Sequence, residues 1–97
     1  MEILQIVRSY IHNLTYGIVG FDEDTVRKMD HYKQLKSSII FKSIINPLII
    51  SPDNVVEKGN TRLLVCKDLG HHFVPVIIRP EGYDVFKLKQ QFYKPIK

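Results

Sequence analysis

Short blocks of apolar and polar residues alternate along the first quarter of the chain. The opening segment MEILQIVRSYI (1–11) has apolar residues at spacings that fit a strand, although a short helix would fit them too. The next segment, HNLTYGIVGFDEDT (12–25), is rich in turn-forming residues and contains two glycines. Asp22 or Asp24 fits the cap position of a following helix, with further acidic residues in its first turn.

One long helix is predicted from Glu23 or Asp24 to Phe41, because apolar residues recur there at helical spacing. Ser43 is its predicted end. Pro47 cannot lie inside a helix, so INPLIIS (45–51) is predicted to be a strand, and its continuous apolar run is typical of a buried one.

The second half of the chain alternates in the same way. SPDN (51–54) is a predicted turn, VVEK (55–58) a strand, and Thr61–Leu69 a short helix with Gly70 as its left-handed cap. FVPVIIR (73–79) is a predicted strand, in which Pro75 indicates either a strand start or an exposed edge. A last short strand, YDVFKL (83–88), is predicted to precede a basic tail.

The element order is strand, helix, strand, strand, helix, strand. It predicts one small α/β (α+β) domain over residues 1–97, with a mixed sheet and two main helices. The apolar content of 44% excludes a disordered chain, and no apolar run is long enough to span a membrane. We expect no signal peptide. The single cysteine, Cys66, excludes an internal disulfide and fits a reducing, cytoplasmic location.

Gly59, Asn60, Thr61 and Arg62 form the segment with the most distinctive candidate chemistry. They follow a predicted strand and open a predicted helix, where the first backbone amides lack internal partners and carry partial positive charge. Glycine allows close approach to a ligand, and an arginine in the first turn can fork onto phosphate oxygens. The segment therefore fits an anion site. A plain helix cap beside a solvated arginine fits the same residues.

The segment from about Tyr32 to Arg79 resembles the ParB-like/sulfiredoxin superfamily. The resemblance rests on an ordered set of short motifs: Ser38-Ile39, Pro47–Ile50, Gly59–Arg62, Leu69-Gly70 and Val74–Val76. It covers about half of the chain. It implies a small α/β domain in which the Gly-x-x-Arg turn contacts phosphate, by way of Gly59, Asn60, Thr61 and Arg62. Family members of this kind bind DNA or nucleotides, and some are described as nucleases.

Several departures from the family pattern narrow what the resemblance implies. The sulfiredoxin cysteine would fall at Asn60, and Cys66 is predicted to be a small core residue, so sulfinic-acid reduction is not expected. Partitioning proteins have a glutamate at the position of Asn60 and a second arginine at that of Thr61. We therefore expect this chain to hold phosphate more weakly than partitioning proteins do. The same differences weaken the expectation that it hydrolyses a nucleoside triphosphate.

Other candidate residues have both a chemical and a structural interpretation. His71 and His72 point in different directions, so we expect no metal site, although either one could line the phosphate site or contact DNA. Glu57 shares a strand face with Gly59 and is the candidate metal ligand or general base if the protein is an enzyme, although an edge-strand charge is the favoured interpretation. The acidic residues 22–24 could hold Mg²⁺, but helix capping explains them more simply.

The tail FKLKQQFYKPIK mixes lysines with aromatic residues, a composition that suits nucleic-acid contact. Lys87 and Lys89 are the candidates there, followed by Lys94 and Lys97. The same aromatic residues could simply pack on the sheet while the lysines stay in water. The net charge of +4 is compatible with an anionic partner and does not identify one.

The leading hypothesis is DNA binding through phosphate contacts, as a small viral or plasmid accessory protein. The second is an enzyme, a metal-dependent nuclease or nucleotide hydrolase that uses the same turn with Mg²⁺ or a nucleotide. The third is a non-catalytic interaction module that forms a homodimer through an exposed edge strand. A salt-dependent DNA affinity, a divalent-ion requirement or neither would distinguish these three hypotheses.

Overall fold

Five short strands form a mixed sheet in the computed structural model of the protein, which describes residues 5–42 and 45–93. The sheet order is β1-β5-β3-β4-β2. Within it, β1–β5 and β3–β4 are antiparallel, whereas β5–β3 and β4–β2 are parallel. The strands are β1 (Val7–Tyr10), β2 (Thr15–Tyr16), β3 (Leu48–Ile50), β4 (Val55–Lys58) and β5 (Phe73–Ile78).

Four α-helices lie in the described part of the chain, where the sequence predicts two main ones. They are α1 (Glu23–Arg27), α2 (Asp30–Lys42), α3 (Asn60–Asp68) and α4 (Val85–Phe92). The predicted α/β fold with a mixed sheet is confirmed. The strand predicted at 55–58 is confirmed with the same bounds, and those predicted at 45–51 and 73–79 are confirmed with shorter bounds. The strand interpretation of the first segment is confirmed by β1. The predicted helix end at Ser43 lies outside the described residues.

The prediction of a single long helix from residue 23 or 24 is wrong, because the helix is interrupted at Lys28 and Met29. Their amides bond to the carbonyl oxygens of Thr25 (3.2 Å) and Val26 (3.0 Å), three residues back, which tightens the turn and ends α1. The helical hydrogen bonding resumes when the amide of Lys33 reaches the carbonyl of Met29. The hydrophobic spacing continues across the break, so it could not reveal the break.

The strand predicted at 83–88 is also wrong, because this segment opens α4. The Asp84 side chain accepts a hydrogen bond from the amide of Phe86 at 2.9 Å, which caps the helix. Val85, Leu88 and Phe92 then fall on one face, and this face packs against the sheet. The apolar and polar residues of this six-residue segment fitted a strand as well as a helix. The helix forms because it buries its apolar face against the second face of the sheet.

Of the two positions predicted for Pro75, the exposed edge is wrong, since β5 lies between β1 and β3, whereas Pro75 does lie near the start of the strand, as its third residue. Pro75 sits opposite Arg8 on β1, and the pairing with β3 begins one residue later at Val76. On the β3 side, the missing N–H of proline therefore falls before the ladder starts. The turn-rich segment after β1 also contains more structure than predicted, namely a 3₁₀ turn at Ile11–Asn13 and the short strand β2.

Two apolar layers enclose the sheet. The larger layer packs α2 and α3 on one face, through Tyr32, Leu35, Ile39 and the fully buried run Leu63–Cys66. The smaller layer packs Leu88 of α4 on Ile49 and Ile77 of the other face. Because β4 enters the turn that starts α3, the sheet fixes the position of that helix N-terminus.

Candidate functional site

Gly59 forms the turn between β4 and α3 with a left-handed backbone, φ +100°. A side chain at this φ is strained, and a Cβ would lie 3.0 Å from both Nη1 of Arg62 and Cγ of Leu48. The Gly59 carbonyl accepts the amide of Leu63 at 2.8 Å, and no side chain caps the helix. The first amides of α3 are therefore left without an intrahelical acceptor, as an anion site requires.

Arg62, in the first turn of α3, is 8% exposed. Its Nη1 donates a hydrogen bond of 3.3 Å to the Tyr93 hydroxyl, and its guanidinium lies 4.9 Å from the centre of the Tyr93 ring. Among the described residues, no carboxylate forms an ion pair with Arg62. A buried cation without a counter-charge is costly, so this geometry favours a bound anion.

Asn60 has a structural task that the sequence did not predict. Its Oδ1 accepts the amide of Gly17 at 2.8 Å, and its Nδ2 donates to the carbonyl of Val56 at 3.2 Å. Gly17 fits because a Cβ there would lie 2.0 Å from the Val56 carbonyl oxygen. The Asn60 side chain thus ties the loop after β2 to the start of α3, and its backbone amide is the group it could offer to a ligand.

A cavity of about 880 Å³ opens in front of the turn. It is lined by the whole of 57–62 and, from other elements, by Ile18, His31, Leu35, Asn46, Phe86, Lys89, Gln90 and Tyr93. Lys58, Arg62 and Lys89 bring positive charge to it, and Glu57 is the one carboxylate among the described lining residues. The cavity is therefore basic and has the size of small-ligand pockets.

Glu57, the candidate general base, is paired with Arg79. Nε of Arg79 lies 2.5 Å from one carboxylate oxygen and Nη2 lies 3.0 Å from the other. Both partners are about a quarter exposed. This bidentate pair neutralises Glu57, so the charge facing the cavity comes from the lysines and Arg62.

The predicted site residues divide into two groups in space. The cavity is lined by six of them: Glu57, Gly59, Asn60, Thr61, Arg62 and Lys89. Lys87 is exposed on α4 and does not line the cavity. His71 and His72 follow the opposite end of α3, a helix about 13 Å long, and are not among the lining residues. Lys94 and Lys97 lie outside the described residues.

The sequence missed His31, Asn46 and Tyr93 as cavity residues. His31 is exposed on α2, one position before the buried Tyr32, and no spacing relates it to the turn. Tyr93 was visible as part of an aromatic and basic tail, but its contact with Arg62 depends on α4 being a helix that brings the tail back over the sheet.

The acidic cluster at 22–24 has a structural role. Asp22 caps α1 by accepting the amide of Asp24 at 3.2 Å and the hydroxyl of Thr25 at 2.6 Å, while Glu23 accepts the Tyr16 hydroxyl at 2.7 Å. The capping interpretation is confirmed for Asp22, whereas Asp24 pairs with Arg27 at 2.9 Å. Across residues 5–42 and 45–93, no three histidine, cysteine or carboxylate side chains are grouped for a metal ion.

Cys66 lies in the larger apolar layer and is fully buried, which confirms the core interpretation. Burial raises the pKa of its thiol to about 11, although Arg62 opposes the shift. At neutral pH the thiol is protonated and therefore a poor nucleophile.

Two solved structures of a pNOB8-like ParB N-domain are similar to the chain over 94% of its length. One, in space group C2221, has a TM-score of 0.60 at 26% sequence identity, and the other a TM-score of 0.56 at 27%. The chain covers 36% and 31% of those two chains, so it spans about a third of their length. No protein-family model and no curated protein matches the sequence. None of the helices in the described ranges is long and apolar enough to cross a membrane.

Proposed function

The chain is a ParB-like domain, and from this premise we propose that it binds phosphate groups at the Gly59–Arg62 turn, in a role connected with DNA. The observation that carries the proposal is Arg62. It is 8% exposed, has no carboxylate partner in the described residues, and lies at a helix N-terminus that no side chain caps. A phosphate would supply both the missing counter-charge and the missing acceptors.

The burial of Arg62 favours a compact phosphate ligand, such as a nucleotide, over a duplex backbone. A ligand must enter the cavity to reach the guanidinium, because Tyr93 lies over it at 4.9 Å. Phe86 adds an apolar wall, and Lys89 adds a second cation. Direct contact between Arg62 and duplex DNA would require α4 to move. In this proposal duplex DNA therefore binds to exposed lysines such as Lys33 and Lys87.

A nuclease or hydrolase is the second candidate, with Glu57 as metal ligand or general base. Glu57 lines the cavity, which favours the assignment, but both of its oxygens are held by Arg79. Activity would require this pair to open when Mg²⁺ or substrate binds. A requirement for a divalent ion, together with loss of activity in Glu57→Gln, would support the second candidate.

The test is calorimetric titration with each of the four ribonucleoside triphosphates, with and without Mg²⁺. Arg62→Gln should weaken the binding of the preferred nucleotide by about ten- to a hundredfold, the cost of losing hydrogen bonds to a charged group. Arg62→Lys should recover part of the affinity, because it keeps the charge and loses the fork. Lys28→Gln is the matched control, since Lys28 is exposed and does not line the cavity.

The same proteins should be titrated with duplex DNA at low and moderate salt. Duplex binding that falls with salt but survives Arg62→Gln supports a nucleotide in the cavity and DNA on the exposed lysines. Duplex binding that disappears in Arg62→Gln, with no nucleotide bound, supports direct contact with the DNA backbone. If wild type binds neither ligand, the proposal is wrong.

A further inference from the structure

The second face of the sheet is only partly covered. Helix α4 packs over Ile49 and Ile77, but the neighbouring β1–β5 end of this face has no cover among the described residues. Phe73 at the start of β5 is 47% exposed, and Tyr10 at the end of β1 is 41% exposed. Two partly exposed aromatic rings therefore lie next to each other on the β1–β5 strand pair.

The strand register places these rings together with an arginine. Tyr10 pairs with Phe73 and Arg8 pairs with Pro75, so these four side chains share one face. The Tyr10 and Phe73 ring centres are 5.7 Å apart, the Arg8 guanidinium lies 5.2 Å from the Phe73 ring, and the His12 ring lies 5.1 Å from that of Tyr10. We call Arg8, Tyr10, His12 and Phe73 the β1–β5 patch.

The two strands of the patch and the described segments next to them carry no acidic residue. Residues 5–16 and 70–78, which include both strands and the 3₁₀ turn between β1 and β2, contain no aspartate or glutamate. Within the described residues Arg8 forms no ion pair, and its guanidinium makes a cation–π contact with the Phe73 ring. The patch therefore offers a cation and two π-faces to a partner that is both anionic and aromatic.

We propose that the β1–β5 patch binds single-stranded nucleic acid. Unpaired bases stack on Tyr10 and Phe73, while Arg8 lies against the backbone phosphate. A duplex keeps its bases inside the stack and cannot use the rings. A second copy of this chain would bring two acid-free surfaces carrying arginine and histidine against each other, so the charge is complementary to nucleic acid and not to itself.

The patch is separate from the cavity. Phe73 begins β5, whereas Arg79 directly after β5 holds Glu57 beside the Gly59 turn. From Phe73 to Arg79 the extended chain spans about 20 Å, so the two sites lie near opposite ends of β5. Ligands at one site do not occupy the other, so the two can be tested independently.

The experiment measures fluorescence anisotropy of a short labelled oligothymidylate in the presence of the full chain. Tyr10→Leu and Phe73→Leu keep an apolar side chain and remove the π-face, and each should raise Kd by at least about fivefold. Phe41→Leu is the matched control, because Phe41 is 84% exposed on α2, away from the patch. Arg8→Gln should reduce the slope of log K against log salt by about 0.7.

Arg62→Gln should leave oligothymidylate binding unchanged, which distinguishes this proposal from the phosphate cavity. The proposal is overturned if wild type does not bind the oligonucleotide, or if both leucine variants of the patch bind like wild type. It is also overturned if Phe41→Leu loses as much affinity as they do, or if the patch variants change only self-association in sedimentation.

Discussion

At the residue scale, the geometry of the cavity depends most on Gly59. Its left-handed backbone turns the chain from β4 into α3, and its missing side chain leaves room for Arg62. Gly70 is the corresponding glycine at the other end of α3, with φ +78° but open space where a Cβ would stand. The two glycines share a backbone requirement and differ in what surrounds them.

This difference leads to a paired prediction for Gly59→Ala and Gly70→Ala. Each should lower the free energy of unfolding by about 1–3 kcal/mol, because alanine is strained in the left-handed region. Gly59→Ala should also weaken nucleotide binding, since its Cβ displaces the Arg62 guanidinium, whereas Gly70→Ala should bind like wild type. Thermal denaturation and calorimetry measure the two quantities. Equal nucleotide affinity in both variants would contradict the role assigned to Gly59.

Local sequence was informative about Gly59 and Arg62, because a strand, a glycine and a helix start specify their positions without distant contacts. It was uninformative about Asn60, whose partner Gly17 lies 43 positions away. It also left open that His71 or His72 lines the phosphate site, although the predicted helix already lay between them and the turn, and α3 does separate them from it.

At the element scale, Asp68 at the end of α3 joins three helices. It accepts two hydrogen bonds from Arg27 of α1, at 2.9 and 3.0 Å, and one from the Tyr32 hydroxyl of α2, at 2.5 Å. The break between α1 and α2 lets both groups reach the same carboxylate. The junction adds polar contacts to the apolar packing that holds α2, the helix that carries His31, against α3.

The junction predicts a pH-dependent stability. The hydrogen bonds from Arg27 lower the pKa of Asp68 below its ordinary 3.8, against an opposing effect of burial, and the Tyr32 hydroxyl lowers it further. A carboxylate with a lowered folded pKa stabilises the fold above its unfolded pKa, and the stabilisation is lost as pH falls through the folded value. Asp68→Asn should therefore cost about 1–3 kcal/mol at neutral pH, and the cost should shrink below pH 3.8.

Urea denaturation of wild type and Asp68→Asn across this pH range measures the effect. Asp53→Asn, in the exposed turn before β4, controls for the change in net charge. A difference between wild type and Asp68→Asn that stays constant down to the lowest pH would contradict the assignment.

Hydrophobic pattern predicted β3, β4, α3 and β5 because each has a full apolar face and a clear break at both ends. It failed for 83–88, where six residues fit both a strand and the first turns of a helix. The choice is made by the sheet face that α4 covers, through Leu88 on Ile49 and Ile77. That contact joins residues far apart in sequence, so no local pattern could contain it.

At the scale of the whole molecule, two basic surfaces with different chemistry lie near opposite ends of β5. At one end of β5, helix amides and a buried arginine face a cavity, which suits a compact phosphate ligand. At the other end, exposed rings and Arg8 lie on an open strand pair, which suits unstacked bases. The fold that carries both surfaces is similar to that of the pNOB8-like ParB N-domains over 94% of the chain.

Tripolyphosphate titrated into the ¹⁵N-labelled wild-type domain tests the claim that phosphate binds at the N-terminus of α3. The largest chemical-shift changes should fall on the amides of residues 59–62 and on the Arg62 side chain. The amides of Tyr10 and Phe73 should be unaffected. Changes confined to Lys87 and the helix surfaces, or no changes at all, would contradict the claim.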